Sequence, residues 1–152
     1  MHTHPAGRTL HVIDIENLAG GSGGDAFDAV ARYRASVRVA PGDHAVIGAG
    51  TRLLVDAAHA WPGACVRLGH GLDGADRVLL EDLADVRFVS AHYDRVVIAS
   101  GDHAFAPVVA ALRATGVAVI VVGREPLAIS RDLRRLAPCK VLASASDYAL
   151  AS

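Results

Sequence analysis

Two apolar runs far apart in the chain, His11-Val12-Ile13-Asp14-Ile15-Glu16-Asn17 and Val96-Val97-Ile98-Ala99-Ser100-Gly101-Asp102, each stop at an acid. Short runs rich in Val and Ile are the signature of strands covered on both faces, and such strands belong to parallel sheets. In an open parallel α/β sheet, ligands sit beyond the carboxyl ends of the strands. Asp14 and Asp102 are therefore expected to face one crevice. Two carboxylates held close repel each other unless a positive charge lies between them. A divalent metal ion is the simplest such charge, and its natural chemistry in a carboxylate site is on phosphate esters.

Apolar runs alternate with helix-periodic stretches along the whole chain, which argues for βαβ units. Strands are predicted over Thr9–Ile15, His44–Ala49, Ala64–Leu68, Arg95–Ala99, Val117–Val122 and Lys140–Leu142, the fifth in or near the middle of the sheet and the last at an edge. Gly20-Gly21-Ser22-Gly23-Gly24 reads as a flexible loop, and its spacing fits no phosphate-binding glycine fingerprint. Asp25 can cap a helix that carries Phe27, Val30 and Tyr33. Further helices are predicted from Thr51 or Arg52 to Trp61, from Ala75 to Ala91 with Arg77 and Glu81 paired at i, i+4, from Phe105 to Thr115, and from Ser130 to Leu136. The expected fold class is α/β, a three-layer αβα sandwich with a mainly parallel central sheet, in a single domain over residues 1–152.

Composition narrows the function. With 52% hydrophobic and 20% charged residues the chain is not a disordered one. No apolar stretch approaches the roughly 20 residues of a membrane span, and Met1-His2-Thr3-His4-Pro5 lacks a signal-peptide pattern, so a soluble cytoplasmic protein without membrane contact is expected. A formal charge of −1 is not the footprint of a strongly basic nucleic-acid binder, although fourteen of the fifteen basic residues are Arg, which suits phosphate contacts. Cys65 and Cys139 lie in apolar contexts and read as reduced core thiols. The eight histidines show no zinc spacing, and most read as surface or loop residues.

Three junctions carry the acids. Asp14 points opposite to Ile13 and Ile15 as a metal ligand, with Asn17 able to return to the same side and orient water or a phosphate oxygen; the alternative is a strand-end Asp14 that caps a turn, with Glu16 solvated. Ser100-Gly101-Asp102-His103 offers a tight turn at Gly101, a hydroxyl donor to phosphate at Ser100, a ligand at Asp102 and a proton shuttle or phosphate contact at His103. Asp102 equally suits the N-cap of the helix that follows. The third junction places Asp76 at a helix start, with Asp73 as its simple N-cap and Asp82 about 240° further round, where a salt bridge beneath the site is open to it. Three carboxylates from three strand ends suit Mg²⁺ or Mn²⁺, which prefer oxygen ligands.

In order along the chain, Asp14-Ile15-Glu16-Asn17-Leu18, Gly74-Ala75-Asp76 with Asp82-Leu83, Ser100-Gly101-Asp102 with Phe105, Pro107, Leu112 and Gly116, and then Ser130 and Leu133, resemble the NYN branch of the PIN-like ribonucleases. The resemblance implies a doubly wound, Rossmann-like sheet and a Mg²⁺- or Mn²⁺-dependent ribonuclease. It carries metal-binding or water-activating roles to Asp14, Asp76 and Asp102, and supporting roles to Asn17 and Ser100. Many members have a further acid two residues after the Ser-Gly-Asp aspartate. Ala104 stands there, with Asp73, Asp82 or His103 as substitutes. The leading expectation is an endoribonuclease acting on RNA. The alternatives are a catalytically weak or inactive module that binds RNA or protein, and a receiver-like domain phosphorylated on Asp, for which the only Lys, Lys140, comes late in the strand order. A short edge strand leaves room for a homodimer.

Overall fold

Along the first strand, side chains alternate between two apolar layers: Leu10 and Val12 pack on one side of the sheet, Ile13 on the other. The computed structural model describes residues 7–21 and 23–144, so Met1–Pro5 and Ser22 of the glycine run lie outside the described residues. Six strands form one sheet: β1 (Thr9–Asp14), β2 (His44–Ala49), β3 (Cys65–Leu68), β4 (Arg95–Ala99), β5 (Ala118–Gly123) and β6 (Cys139–Val141). Their order is β3-β2-β1-β4-β5-β6 and every pairing is parallel. The helices are α1 (Ile15–Ala19), α2 (Ala26–Ser36), α3 (Leu54–Ala60), α4 (Gly74–Leu83), α5 (Val86–His92), α6 (Ala106–Ala114) and α7 (Arg131–Leu136).

Ile13, Ile47, Val97 and Val122 face the layer that holds Leu18, Tyr33 and Trp61. Val12, Val96, Ile98 and Val121 face the layer of Leu79, Leu83, Val109, Leu112 and Leu133. The chain thus winds from β1 to β3 with helices on one face, then returns past β1 to β4 and on to β6 with helices on the other, as crossovers of a single hand require. The reversal falls between β1 and β4. This is the α/β sandwich expected, and its sheet is parallel throughout. No helix among the described residues is long and apolar enough to cross a membrane.

Several local expectations change. β1 ends at Asp14, one residue early, because α1 starts there: Asp14 is its N-cap, Ile15 and Leu18 are buried beneath it, and Gly20 closes it in the left-handed conformation with its N–H on the Glu16 carbonyl. The predicted helix over Ala75–Ala91 is two helices. Asp85 accepts from the Phe88 N–H at 3.0 Å and so caps α5 as a separate start. Arg77 does not pair with Glu81; its Nη2 donates to the Leu72 carbonyl at 3.2 Å, while Glu81 lies 3.7 Å from Arg67. Cys65 and Cys139 are free but exposed rather than core, because each opens a strand at an edge of the sheet where only one flank is covered. Those edges are opposite ones, which excludes a disulfide between them.

Candidate active site

β1 and β4 are neighbours whose chains depart toward opposite faces, so a crevice opens beyond their ends. Hydrogen bonds lace the two ends together. Asp14 Oδ2 accepts from Ser100 Oγ at 3.1 Å, and its Oδ1 accepts from the Asn17 N–H at 3.4 Å. Asn17 Oδ1 accepts from the Gly101 N–H at 3.0 Å, and Ser100 Oγ accepts from the Asp102 N–H at 3.2 Å. Gly101 is needed for close approach rather than for an unusual turn. A Cβ there would lie 1.8 Å from the Ala128 carbonyl oxygen, and the Gly101 carbonyl takes the Ser130 N–H at 2.9 Å.

The third acid arrives from α4. Asp14, Glu16, Asn17, Asp73, Asp76 and Asp102 all line one cleft of about 280 Å³. Carboxylate oxygens of Asp73, Asp76 and Asp102 lie within 4.8 Å of one another. Asp76 is only 6% exposed and also stands at hydrogen-bonding range of Asp14. Burial first, then the Asp14 and Asp102 carboxylates, push the Asp76 carboxyl up to about 9. Among the described residues no Lys or Arg pairs with any of these four acids. A divalent cation fits such an oxygen-only set, since its charge would offset both the burial and the repulsion that raise the Asp76 carboxyl.

The predicted site residues separate by what they touch. Asp14, Asp76 and Asp102 converge on the cleft, with Asn17 on its wall. Ser100 is buried and gives its proton to Asp14, so it braces the site instead of presenting a donor to phosphate. His103 lies on the rim with its side chain 80% exposed, Nδ1 3.4 Å from Asp102 Oδ1. Asp102 is both cleft wall and cap, accepting from the Ala104 N–H at 2.8 Å. Glu16 is not merely solvated, since it accepts from the Gly50 N–H at 2.8 Å and ties α1 to the end of β2. Asp82 pairs with Arg67 on β3 and takes no part in the cluster. Asp73 makes no side-chain cap; it sits at φ 58, a left-handed conformation that Asp tolerates, with its carboxylate exposed toward the other acids. Of the three candidates for the acid missing at Ala104, Asp73 is the one that stands beside Asp76 and Asp102 as an acid, in place of the simple cap also expected of it.

A protein of unknown function from Vibrio parahaemolyticus has a solved structure similar to this one, with a TM-score of 0.65, 19% identity, and coverage of 97% of this chain and 98% of that chain. An NAD-dependent alcohol dehydrogenase aligns more loosely, at a TM-score of 0.40 and 17% identity over 94% of this chain and 38% of its own. No curated protein sequence matches. The NYN domain matches residues 70–144, which supply Asp73, Asp76, Ser100 and Asp102, while Asp14 and Asn17 join them from outside that segment through the bonds to Ser100 and Gly101. With an acidic cluster able to hold a metal ion, residues 70–144 thus carry an NYN domain, a member of the PIN-like superfamily with its nuclease-type fold.

Proposed function

We propose that the protein is an endoribonuclease that hydrolyses RNA phosphodiesters with Mg²⁺ or Mn²⁺ held by Asp14, Asp76 and Asp102, and with Asp73 as the fourth acid. The observation that carries this reading is the buried Asp76, flanked by carboxylates and matched by no cationic side chain. A bound divalent ion supplies charge screening at the phosphodiester and a water of lowered pKa. The chain's own residues do the rest. Ser100 and the Asn17 backbone hold both oxygens of Asp14 in place. The Asn17 carbonyl oxygen is engaged with Gly101, which leaves its NH₂ to donate to a substrate phosphate oxygen from the cleft wall. His103 on the rim serves as a further phosphate contact, its ring steadied by Asp102.

The test is cleavage of labelled single-stranded and structured RNA in Mn²⁺, in Mg²⁺ and in excess chelator, with Asp14→Asn alongside. Metal-dependent product that the variant loses is the expected result. Ala104 favours a second reading, a non-cleaving RNA-binding module, because it puts a methyl group where many relatives have an acid. RNA retained in chelator with no product under any condition would replace the nuclease by that module.

A further inference from the structure

The cleft does not end at the acids. A second lobe of about 340 Å³ shares Asp73, Asp76 and Asp102 with the first, but its remaining walls are Arg77, Leu80, His103 and Ala104. The two lobes differ in chemistry. The first adds Asp14 and Glu16 to the negative field and so opposes a second phosphate. In the second, Arg77 follows Asp76 directly on α4, and the bond from its Nη2 to the Leu72 carbonyl fixes the guanidinium while most of its five N–H donors remain unused by that bond. Leu80 lies one turn further along α4, and Leu80 and Ala104 are each half-buried, which gives the lobe an apolar wall.

We infer that this second lobe is the subsite for the nucleotide next to the cleaved bond in single-stranded RNA, with Arg77 on its phosphate and the Leu80–Ala104 wall against its base. The inference rests on the nuclease reading for the position of the scissile bond. A base can enter the lobe only when it is unpaired and splayed from its neighbours, so a duplex is excluded from it. One arginine–phosphate contact also has a measurable signature, because neutralising one phosphate of a single strand contributes about 0.7 to the slope of log affinity against log salt.

The experiment measures binding of a fluorescent single-stranded RNA dodecamer, and of the same strand in a duplex, by anisotropy in Ca²⁺ across a salt series. The full chain is compared with Arg77→Ala and Arg77→Lys, and cleavage of the same strand is followed in Mn²⁺. Arg77→Ala is expected to weaken single-strand binding about five- to tenfold and to flatten the salt slope by about 0.7, with Lys restoring the slope. Duplex binding is expected not to respond to Arg77. Unchanged affinity and slope in Arg77→Ala, or the same loss on the duplex, overturns the subsite. Arg77-dependent binding without cleavage in Mn²⁺ would leave the lobe standing as a single-strand RNA subsite and remove the hydrolytic reading, and with it the scissile bond beside the lobe.

Discussion

The fold buries three polar side chains of β1, Thr9, His11 and Asp14, and the last two, three residues apart, meet opposite fates. His11 is fully enclosed: its Nδ1 lies 2.6 Å from the Tyr33 hydroxyl and its Nε2 3.0 Å from Asp43 Oδ2. Burial raises Tyr33 and so keeps its proton, which makes that hydroxyl the donor to Nδ1 and leaves Nε2–H to donate to Asp43. Burial likewise lowers His11, although Asp43 pulls the other way, and favours the neutral ring. Burial also works to raise Asp43, but bonds from His11, the Thr9 N–H and the Ala40 N–H hold it below the usual carboxylate range. Every donor there has an acceptor. Asp14 takes donors from Ser100 and Asn17, but the carboxylates that face it across the cleft are further acceptors, and the only donor Asp76 can offer is a retained proton. A closed polar network stabilises the chain; an open one of a single sign is a ligand site in waiting.

Four measurements sharpen this contrast, starting from the largest effect. Asp14→Asn should lower RNA cleavage by at least about a hundredfold while thermal unfolding shows an intact fold, because it removes a ligand and not a packing group. Asp43→Ala should instead cost about 2–4 kcal/mol in denaturant unfolding, since it strands the His11 N–H and two backbone N–H groups, and should destroy activity only through unfolding. Asp76→Asn should act in the opposite sense in the metal-free protein. The folded state holds a proton on Asp76 up to about pH 9, whereas the unfolded chain releases it near 3.8. The wild type therefore binds more protons folded than unfolded across that window, so its stability falls as pH rises from about 4 to about 9. Unfolding at pH 5 and pH 8.5 should show that decline and its loss in Asp76→Asn; an equal decline in both proteins would place the titration elsewhere. Tyr33→Phe should have the smallest effect, about 1–2 kcal/mol, from the single acceptor left on His11.

The difference also explains what could be read from the chain before folding. Alternating apolar runs specify strands, and side-chain parity already puts Asp14 opposite Ile13, so the parallel sheet and the convergence of Asp14, Asp76 and Asp102 follow from local pattern. Other features did not. His11 lies in a run that reads as a covered strand, but its partners stand 22 and 32 positions away and nothing beside it in sequence names them. Asp73 resembles an ordinary cap, and only its left-handed backbone frees the carboxylate. The cysteines sit in apolar company, yet edge strands leave them uncovered. The break between α4 and α5 depends on Asp85, one polar residue inside an otherwise continuous helical period.

The bond between Ser100 and Asp14 spans 86 residues, and it joins the first strand of the sheet to the fourth. β1 is enclosed only when β4 docks on the edge opposite β2. Bringing the acids together therefore requires closure of a long loop, at an entropic cost that only the docked strands repay. A nascent chain or a proteolytic fragment that lacks β4 therefore holds half a site, and the proposed hydrolysis would be confined to molecules that have completed their central sheet.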